Sequence, residues 1–500
     1  MGDFLREKDR KRLISASRKA FRSPIPTQVV SNGEFVPPPQ NRRQRQVEEK
    51  IRELGDLFGR KLGLSRREFL QTSAGMAAAF MAMNAVYGAF FAVDPAEAAD
   101  PRAAAERLDA LAGQFIFDVQ LHHVHGEYDN QELLQLRRFG QQVNPAIRDE
   151  ELTLDKFRFQ NFVREVFVES QTTLGLLSSA PSDDPELWFM HNDQLAESRA
   201  MINSAAGSRR LLAHAVFTPG APGWMEEIER AIEIYKPDSW KGYTIGDPFN
   251  ESKYPWRMDD EKLVYPAYER MVKSGIRNVC VHKGLLPEDY EKEFPKTWRH
   301  AMVDDVGQAA RDWPQLNFII YHAGLKPIGE LHGDYLRDFE QTGYIPWVSD
   351  LAQIPEKYGV SNVYGEIGSS FASSAVTHPR HAAVLMGTLI KGLGTERVIW
   401  GTDSVWYGSP QWQIEALRRL EIPPELQERF GFQPLGAADG PVKTAIFGRN
   451  SARMYDIRLG ADGTLPGARG DRIAQWKAEA EAGGARRTDL LHGLMHPPPA

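Results

Sequence analysis

The chain has 500 residues, a net charge of −7 at neutral pH and a single cysteine, Cys280. This charge gives no reason to expect nucleic acid as a partner, and one cysteine excludes an internal disulfide. An apolar content of 42% and an aromatic content of 10% are sufficient for a large core. We therefore expect a globular protein that folds without an oxidising compartment, in the cytosol or before export from it.

The first segment, residues 1–60, is basic, with fourteen Lys and Arg against eight Asp and Glu. It also contains several prolines, which favour extended backbone. We predict a largely extended N-terminal extension with a short helix around residues 46–59.

The second segment, residues 61–98, joins a pair of arginines to an apolar run. SRREFL (65–70) precedes residues 72–93, which carry no charge, and Ala-Glu-Ala at 96–98 offers a small-residue cleavage site. This order resembles the twin-arginine export signal of bacteria, which implies the twin-arginine machinery as a partner and a periplasmic location. Two alternatives are a chance Arg-Arg before a buried helix and an uncleaved membrane anchor, because about 20 apolar residues can span a bilayer.

From residue 99 to 457, short apolar runs alternate with amphipathic stretches, which predicts repeated strand–helix units with parallel strands. A closed (β/α)₈ barrel is the economical fold, and a doubly wound open sheet is the alternative. The predicted strands are 115–122, 172–179, 211–218, 239–245, 276–282, 316–322, 361–368 and 397–403. The predicted helices include 155–167, 191–206, 224–235, 299–312 and 380–392.

Polar residues at the strand ends favour the barrel. His122, His282, His322, Glu366 and Asp403 lie at or near the C-terminal ends of five different strands. Barrel enzymes build their active sites at that rim, whereas an open sheet collects such groups at one switch point. A lone histidine is more often structural than a ligand, but three histidines and an aspartate on four strands suit zinc or a similar divalent ion.

The motifs that carry these residues resemble the amidohydrolase superfamily, in the branch that includes aminocarboxymuconate semialdehyde decarboxylase. The resemblance covers residues 115–457. Its motifs are Asp118-x-x-x-His122, VCVHKG with His282, IIYHAG with His322, IWGTDS with Asp403, and IFGRNSARMY at 446–455.

The resemblance implies roles for individual residues. His122 and His282 would be metal ligands, and Asp403 would bind the metal or take the proton from its water. His322 would bind a metal or polarise the substrate. The family also expects a histidine two residues before His122, where this chain has Gln120.

Strand geometry bears on this departure, because alternate side chains of a strand share one face. Gln120 and His122 therefore point inward together, whereas an inward pair of His123 and His125 would place apolar Leu121 in the site. Glutamine is a weaker zinc ligand than imidazole, so fewer strong ligands, a harder ion or no metal are all conceivable outcomes. We expect that one divalent ion still binds, with Gln120 among its ligands, as zinc or alternatively manganese.

Three further residues are candidate substrate contacts. Lys241 lies where some members of the superfamily carry a carbamylated lysine, but substrate positioning is the simpler role. Glu366 is an alternative contact or a structural hydrogen-bonding group. Trp406 belongs to the loops that follow the strands, and these loops are rich in aromatic residues, which suits an aromatic or cyclic substrate.

The resulting prediction is an exported, metal-dependent hydrolase that acts on an amide, ester or lactone of a small molecule. The alternatives are a non-oxidative decarboxylase or hydratase on the same barrel, and a non-catalytic binding protein with a decayed site. Residues 458–500 are predicted to form a tail with little core of its own, wrapped on the barrel or on a second copy of the chain.

Overall fold

The computed structural model describes residues 23–30, 39–131, 134–135, 138, 153–246, 250–328, 331, 333–467 and 470–482. Eight parallel strands follow one another in sequence order around one sheet. They are β1 Phe117–Leu121, β2 Leu174–Leu177, β3 Leu211–Val216, β4 Ser239–Tyr243, β5 Asn278–His282, β6 Asn317–Tyr321, β7 Val363–Glu366 and β8 Val398–Ile399.

The sheet closes on itself through the chain that continues β8. The amide of Val119 donates to the carbonyl of Trp400 at 3.0 Å, and Leu121 forms a parallel bridge with Ser404. A side-chain contact supports the same seam, because the Asp118 carboxylate accepts hydrogen bonds from the Thr402 amide and hydroxyl. The predicted (β/α)₈ barrel and all eight predicted strands are confirmed.

The barrel interior is filled rather than open. His214 on β3 donates from Nε2 to the Tyr321 hydroxyl at 2.8 Å and accepts from the Ser239 hydroxyl at 2.8 Å. Burial of His214 lowers its pKa well below the usual range, so the ring is neutral in this position. Such a satisfied polar group sits inside a core without a large desolvation cost.

Fifteen α-helices surround or follow the strands in the described part of the chain. Four of the five predicted helices are found, and the fifth, predicted over 299–312, begins only at Val306. The Asp305 carboxylate fixes the chain before that helix, because it accepts hydrogen bonds from the Met258 amide and from Lys283, both at 2.8 Å. The helices are α6 Phe159–Val163, α7 Asn192–Ala206, α8 Trp224–Arg230, α9 Tyr265–Ser274, α10 Tyr290–Glu293, α11 Val306–Asp312, α12 Gly333–Thr342, α13 Val348–Tyr358, α14 Ser370–Ala375, α15 Pro379–Leu393, α16 Gln411–Arg419, α17 Pro424–Phe430, α18 Pro441–Thr444, α19 Asn450–Met454 and α20 Arg472–Ala482.

Five helices precede the barrel, and we call residues 39–110 the N-terminal layer. The helix predicted around residues 46–59 is present and is longer than expected, because it extends from Arg42 to Lys61. The uncharged run at 72–93 contains α3, and no helix in the described ranges is long and apolar enough to cross a membrane. The helices are α1 Arg42–Lys61, α2 Arg66–Leu70, α3 Ser73–Tyr87, α4 Pro95–Ala99 and α5 Pro101–Ala110.

The C-terminal segment lies on the outside of the barrel. Ile473 at the start of α20 is buried, and the Lys477 ammonium donates to the carbonyl of Ser170. Residues 483–500 of the predicted tail lie outside the described residues.

Candidate active site

The C-terminal rim of the barrel brings the predicted polar residues together. Gln120 lies on β1 and His122 follows that strand, while His282 ends β5. His322 follows β6 and Asp403 follows β8. All five side chains are largely removed from solvent, so their contacts with one another are strengthened by the low local dielectric.

Asp403 is the centre of the cluster. Its Oδ1 lies 3.1 Å from His122 Nε2 and accepts a hydrogen bond of 3.0 Å from the Gln120 amide nitrogen. Its Oδ2 accepts a hydrogen bond from the Ser369 hydroxyl, which also lies 3.0 Å from the Tyr407 hydroxyl. Burial alone would raise the pKa of Asp403, but His122, His322 and Ser369 outweigh burial and hold it at about 2.

The two remaining histidines form a pair. His322 Nε2 lies 3.1 Å from His282 Nδ1 and 3.4 Å from the Gln120 amide nitrogen. His322 Nδ1 lies 2.9 Å from the carbonyl of Gly368, so this nitrogen carries the proton. In the neutral ring the Nε2 lone pair therefore faces the cluster, which is the tautomer that a metal ligand requires. Burial, as the main cause, lowers the pKa of His322 to about 4 and keeps the ring neutral.

At this rim, three residues adopt positive φ angles, which residues other than glycine rarely take. His322 has φ +61°, Asp403 has φ +60° and Ser369 has φ +56°. Each such residue costs of the order of 1–3 kcal/mol, and strain of this kind collects at functional sites. Ser369 and Asp403 are both strained and contact each other, so this part of the rim is held in place by the surrounding structure.

The register of β1 agrees with the inward placement of Gln120 and His122. Both contact Asp403, whereas His123 points away and lies 3.1 Å from the Ser198 hydroxyl, between aromatic rings. His125 is part-exposed at the rim, 6.5 Å between ring centroids from His191. The structure therefore does not bring His123 and His125 into the cluster.

Lys241 on β4 lies inside the barrel, fully buried. Its ammonium nitrogen is 3.4 Å from the centroid of the Tyr321 ring and 4.8 Å from that of Tyr243. Among the described residues it has no hydrogen-bond partner. Burial lowers the pKa of Lys241 to about 7, although Cys280, Glu366 and Asp403 oppose this shift. Its predicted role in substrate binding stays a prediction.

Glu366 supports the turn after β7. One carboxylate oxygen accepts from the His322 amide at 3.0 Å, and the other accepts from the Gly368 amide at 2.5 Å. Burial raises the pKa of Glu366 to about 8, and the two amides only partly oppose it. A Cβ on Gly401 would lie 1.9 Å from this carboxylate, so the close approach requires glycine there. A substrate contact by Glu366 stays a prediction.

Aromatic rings cover the His122 side of the cluster. The Trp406 ring centroid is 5.8 Å from that of His122 and 4.9 Å from that of Phe189. On the other side, Tyr243 stacks on His282 with 4.6 Å between ring centroids. The walls of the site are therefore apolar and flat, as a pocket for a ring-shaped molecule would require.

Sequence reasoning missed Ser369, Tyr407 and Phe189. Ser369 stands in the stretch GEIGSS (365–370) after β7, but nothing in the sequence shows that its backbone turns to a positive φ. Tyr407 and Phe189 belong to aromatic-rich loops whose positions depend on tertiary packing. Only the aromatic enrichment of the loop at 404–412 was a usable signal.

The imidazole nitrogens, the carboxylate and the amide of this cluster are ligand types that bind divalent ions. Two ligands about 2.0–2.2 Å from one ion lie roughly 3 Å apart, which is the spacing seen between neighbouring atoms of this cluster. Within the described ranges, two buried atoms that have no partner, Gln120 Oε1 and His122 Nδ1, leave further capacity for ligation or hydrogen bonding. As the side chains stand, no group of three or more His, Cys, Asp or Glu in the described chain is already arranged around one point. The side-chain amide of Gln120 lies between Asp403 and His322.

A family model described as Amidohydrolase matches residues 184–457, which is more than half of the chain. The protein belongs to the amidohydrolase family. β1, with Gln120 and His122, lies before the matched residues.

Several solved structures also resemble the chain. One is a 5-carboxyvanillate decarboxylase from Sphingomonas paucimobilis, with 15% identity over 69% of this chain and 100% of that chain and a TM-score of 0.40. Another is a 2,6-dihydroxybenzoate decarboxylase from Rhizobium, with 14% identity, coverage of 69% and 99%, and a TM-score of 0.40. A third is an uncharacterised TIM-barrel protein from Bordetella bronchiseptica, with 14% identity, coverage of 68% and 98%, and a TM-score of 0.41. Similarities this distant do not define the reaction of this chain. No curated protein matches it in sequence.

Proposed function

We propose that the protein is a metal-dependent hydrolase that uses water to cleave an amide, ester or lactone of a small molecule with a ring. The observation that carries the proposal is the state of Asp403. The amide of Gln120 and the hydroxyl of Ser369 both donate to its carboxylate, and His122 Nε2 faces it at 3.1 Å. These contacts keep Asp403 ionised near neutral pH, and only an ionised carboxylate can take the proton of the attacking water as a general base.

The remaining residues have defined places around this base. His122, His282, His322 and Asp403 would hold one divalent ion, with Gln120 as a further oxygen ligand. When bound, such an ion makes a water molecule a nucleophile near neutral pH and polarises a carbonyl group. Zinc suits the imidazoles, and manganese is the alternative because carboxylate and amide oxygens suit harder ions.

The protein side chains provide positioning and proton transfer. Asp403 takes the proton from the attacking water and returns it to the leaving nitrogen or oxygen. Ser369 holds the other carboxylate oxygen, so Asp403 keeps one orientation during both transfers. Trp406, Phe189 and Tyr243 limit the water around the site and bind the flat part of the substrate.

A decarboxylase requires an acid where a hydrolase requires a base, because a proton must be delivered to the carbon that loses CO₂. The donors around Asp403 favour hydrolysis, although the aromatic walls suit an aromatic acid equally well. The two reactions are separated by their products.

The test is an activity screen on the full chain loaded with zinc or with manganese, using esters, lactones, amides and aromatic acids. We expect hydrolysis of at least one ester, lactone or amide, and a loss of about 10²–10⁴-fold in kcat for Asp403→Asn. Asp109→Asn, at an exposed position of α5, is the matched control and should keep full activity. Release of CO₂ without hydrolysis would replace the proposal by a decarboxylase. Equal activity of Asp403→Asn and the wild type would refute the assigned base.

A further inference from the structure

The segment that resembles an export signal is part of a folded layer. Phe69 and Leu70, two diagnostic positions of the signal, are 0% and 2% exposed. Nine of the fifteen residues of α3 are buried, and this helix packs along α1. A Cβ on Gly75 would lie 2.4 Å from the Phe69 carbonyl, so α2 and α3 meet as closely as glycine allows.

The layer is joined to the barrel by backbone hydrogen bonds. Phe91 forms an antiparallel bridge with Leu420, which follows α16. The Ala92 amide donates to the Arg419 carbonyl at 2.7 Å, and the Glu421 amide donates to the Phe90 carbonyl at 2.8 Å. A short two-stranded contact of this kind fixes the end of the apolar run at 72–93 against the barrel.

A buried ionic network crosses the same boundary. Glu97, inside the Ala-Glu-Ala sequence, accepts two hydrogen bonds from Arg419 and lies 3.6 Å from Arg107. Both arginines also pair with Glu415 of α16, at 3.3 Å and 2.9 Å respectively. Arg419 and Glu415 are 2% and 3% exposed. Removal of one member of a buried ion pair leaves an uncompensated charge, which is strongly destabilising.

The bond after Ala98 is also poorly placed for proteolysis. Ala98 is completely buried and lies within α4, whose first turn is capped by the Asp94 side chain. Proteases cleave exposed, unstructured chain far more readily than buried helix. Cleavage there would take the Phe80 ring and the Glu97 carboxylate away from the Arg419 guanidinium, which both of them contact.

We infer that residues 39–98, which belong to the N-terminal layer, are a permanent part of the folded protein. We also infer that the Ala-Glu-Ala sequence is not a processing site. The inference is independent of the proposed hydrolysis and applies in whichever compartment the protein is found. An Arg-Arg motif that begins a helix of this layer, with its Phe and Leu buried, serves the fold.

The decisive experiment is intact-mass measurement and N-terminal sequencing of the full chain after expression, on protein recovered from the cytosol, the membrane and the periplasm. We expect folded protein in every fraction that contains it to retain residues 39–98. A folded mature chain that begins at Ala99 would overturn the inference.

A stability measurement tests the same inference without relying on cell fractions. Glu97→Gln keeps the shape of the side chain but removes its charge, so Tm should fall by several degrees. Glu106→Gln, at an exposed position of α5, is the matched control and should leave Tm unchanged. An equal Tm for Glu97→Gln and the wild type would mean that the layer does not support the barrel, and would also overturn the inference.

Discussion

Gln120 stands where the resemblance to the amidohydrolases predicts a histidine, and the structure shows which groups its amide contacts. Its amide nitrogen lies 3.0 Å from Asp403 Oδ1 and 3.4 Å from His322 Nε2, two groups that a metal ion would share. The amide NH₂ thus satisfies both in the absence of a cation. Rotation of the amide would turn Oε1, which has no hydrogen-bond partner among the described residues, toward the same two groups. That arrangement is favourable only with a cation between them.

Gln120→Glu should therefore tighten metal binding. The substitution keeps the shape of the side chain, removes the NH₂ that competes with the ion and adds an anionic oxygen ligand. We expect the Kd for zinc to fall by about tenfold or more, measured by titration against a competing chelator.

Gln433→Glu, at an exposed position after α17, is the control and should not change the Kd. An unchanged Kd for Gln120→Glu would show that Gln120 does not face the ion.

The residues of the site could be predicted only where the chain direction alone positions them. His122, His282, His322 and Asp403 end apolar runs, so parallel strands necessarily bring them to one rim. Ser369 could not be found in this way, because its contact with Asp403 depends on a positive φ of 56° after β7. A backbone conformation of this kind is imposed by the packing of the surrounding elements and has no local sequence signature for serine.

At the scale of helices, α12 and α15 are joined by a partly buried hydrogen bond between the Tyr335 hydroxyl and His381 Nε2, 2.7 Å long. His381 is completely buried, and burial, together with His378, lowers its pKa to about 3. Because the folded pKa lies below the unfolded value of 6.5, only the unfolded chain gains this proton as the pH falls. The contribution of His381 to stability is therefore complete above pH 6.5 and is lost as the pH falls below it.

This linkage predicts how acid destabilises the protein. Between pH 7 and pH 5, protonation of His381 in the unfolded chain should cost about 2 kcal/mol of unfolding free energy. In His381→Phe this term is absent, so its unfolding free energy should fall by about 2 kcal/mol less than that of the wild type over the same interval. Urea unfolding at the two pH values measures both. Parallel pH profiles for the two proteins would contradict the linkage.

The elements themselves were predictable to different degrees. Strands were found because β-branched runs of limited length alternate with amphipathic stretches. The uncharged run at 72–93 was ambiguous, because hydropathy is the same for an export signal and for a helix buried in a core. Its place was decided by long-range partners, such as Leu420 and Arg419, which lie more than three hundred residues further along the chain.

At the scale of the whole molecule, the N-terminal layer and the barrel share one network of charges. Glu415 lies at the centre of that network. Its burial would raise its pKa, but Arg107, Arg418 and Arg419 hold the pKa at about 2. The rim with the candidate site lies at the C-terminal ends of the strands, and α16, which carries Glu415, begins shortly after Asp403 on the same chain. The N-terminal layer therefore stabilises α16, the helix that comes shortly after Asp403 in the chain.

The central claim is that the rim of this barrel hydrolyses its substrate only when it holds a divalent ion. Its most direct test is to remove metal from the full chain with a chelator and add zinc or manganese back in steps. The rate of hydrolysis of a substrate found in the screen is then followed. We predict a rate near zero in the metal-free protein that rises in proportion to added metal and levels off at about one equivalent per chain. Full hydrolytic activity in the metal-free protein, or stoichiometric metal binding with no hydrolysis, would contradict the claim.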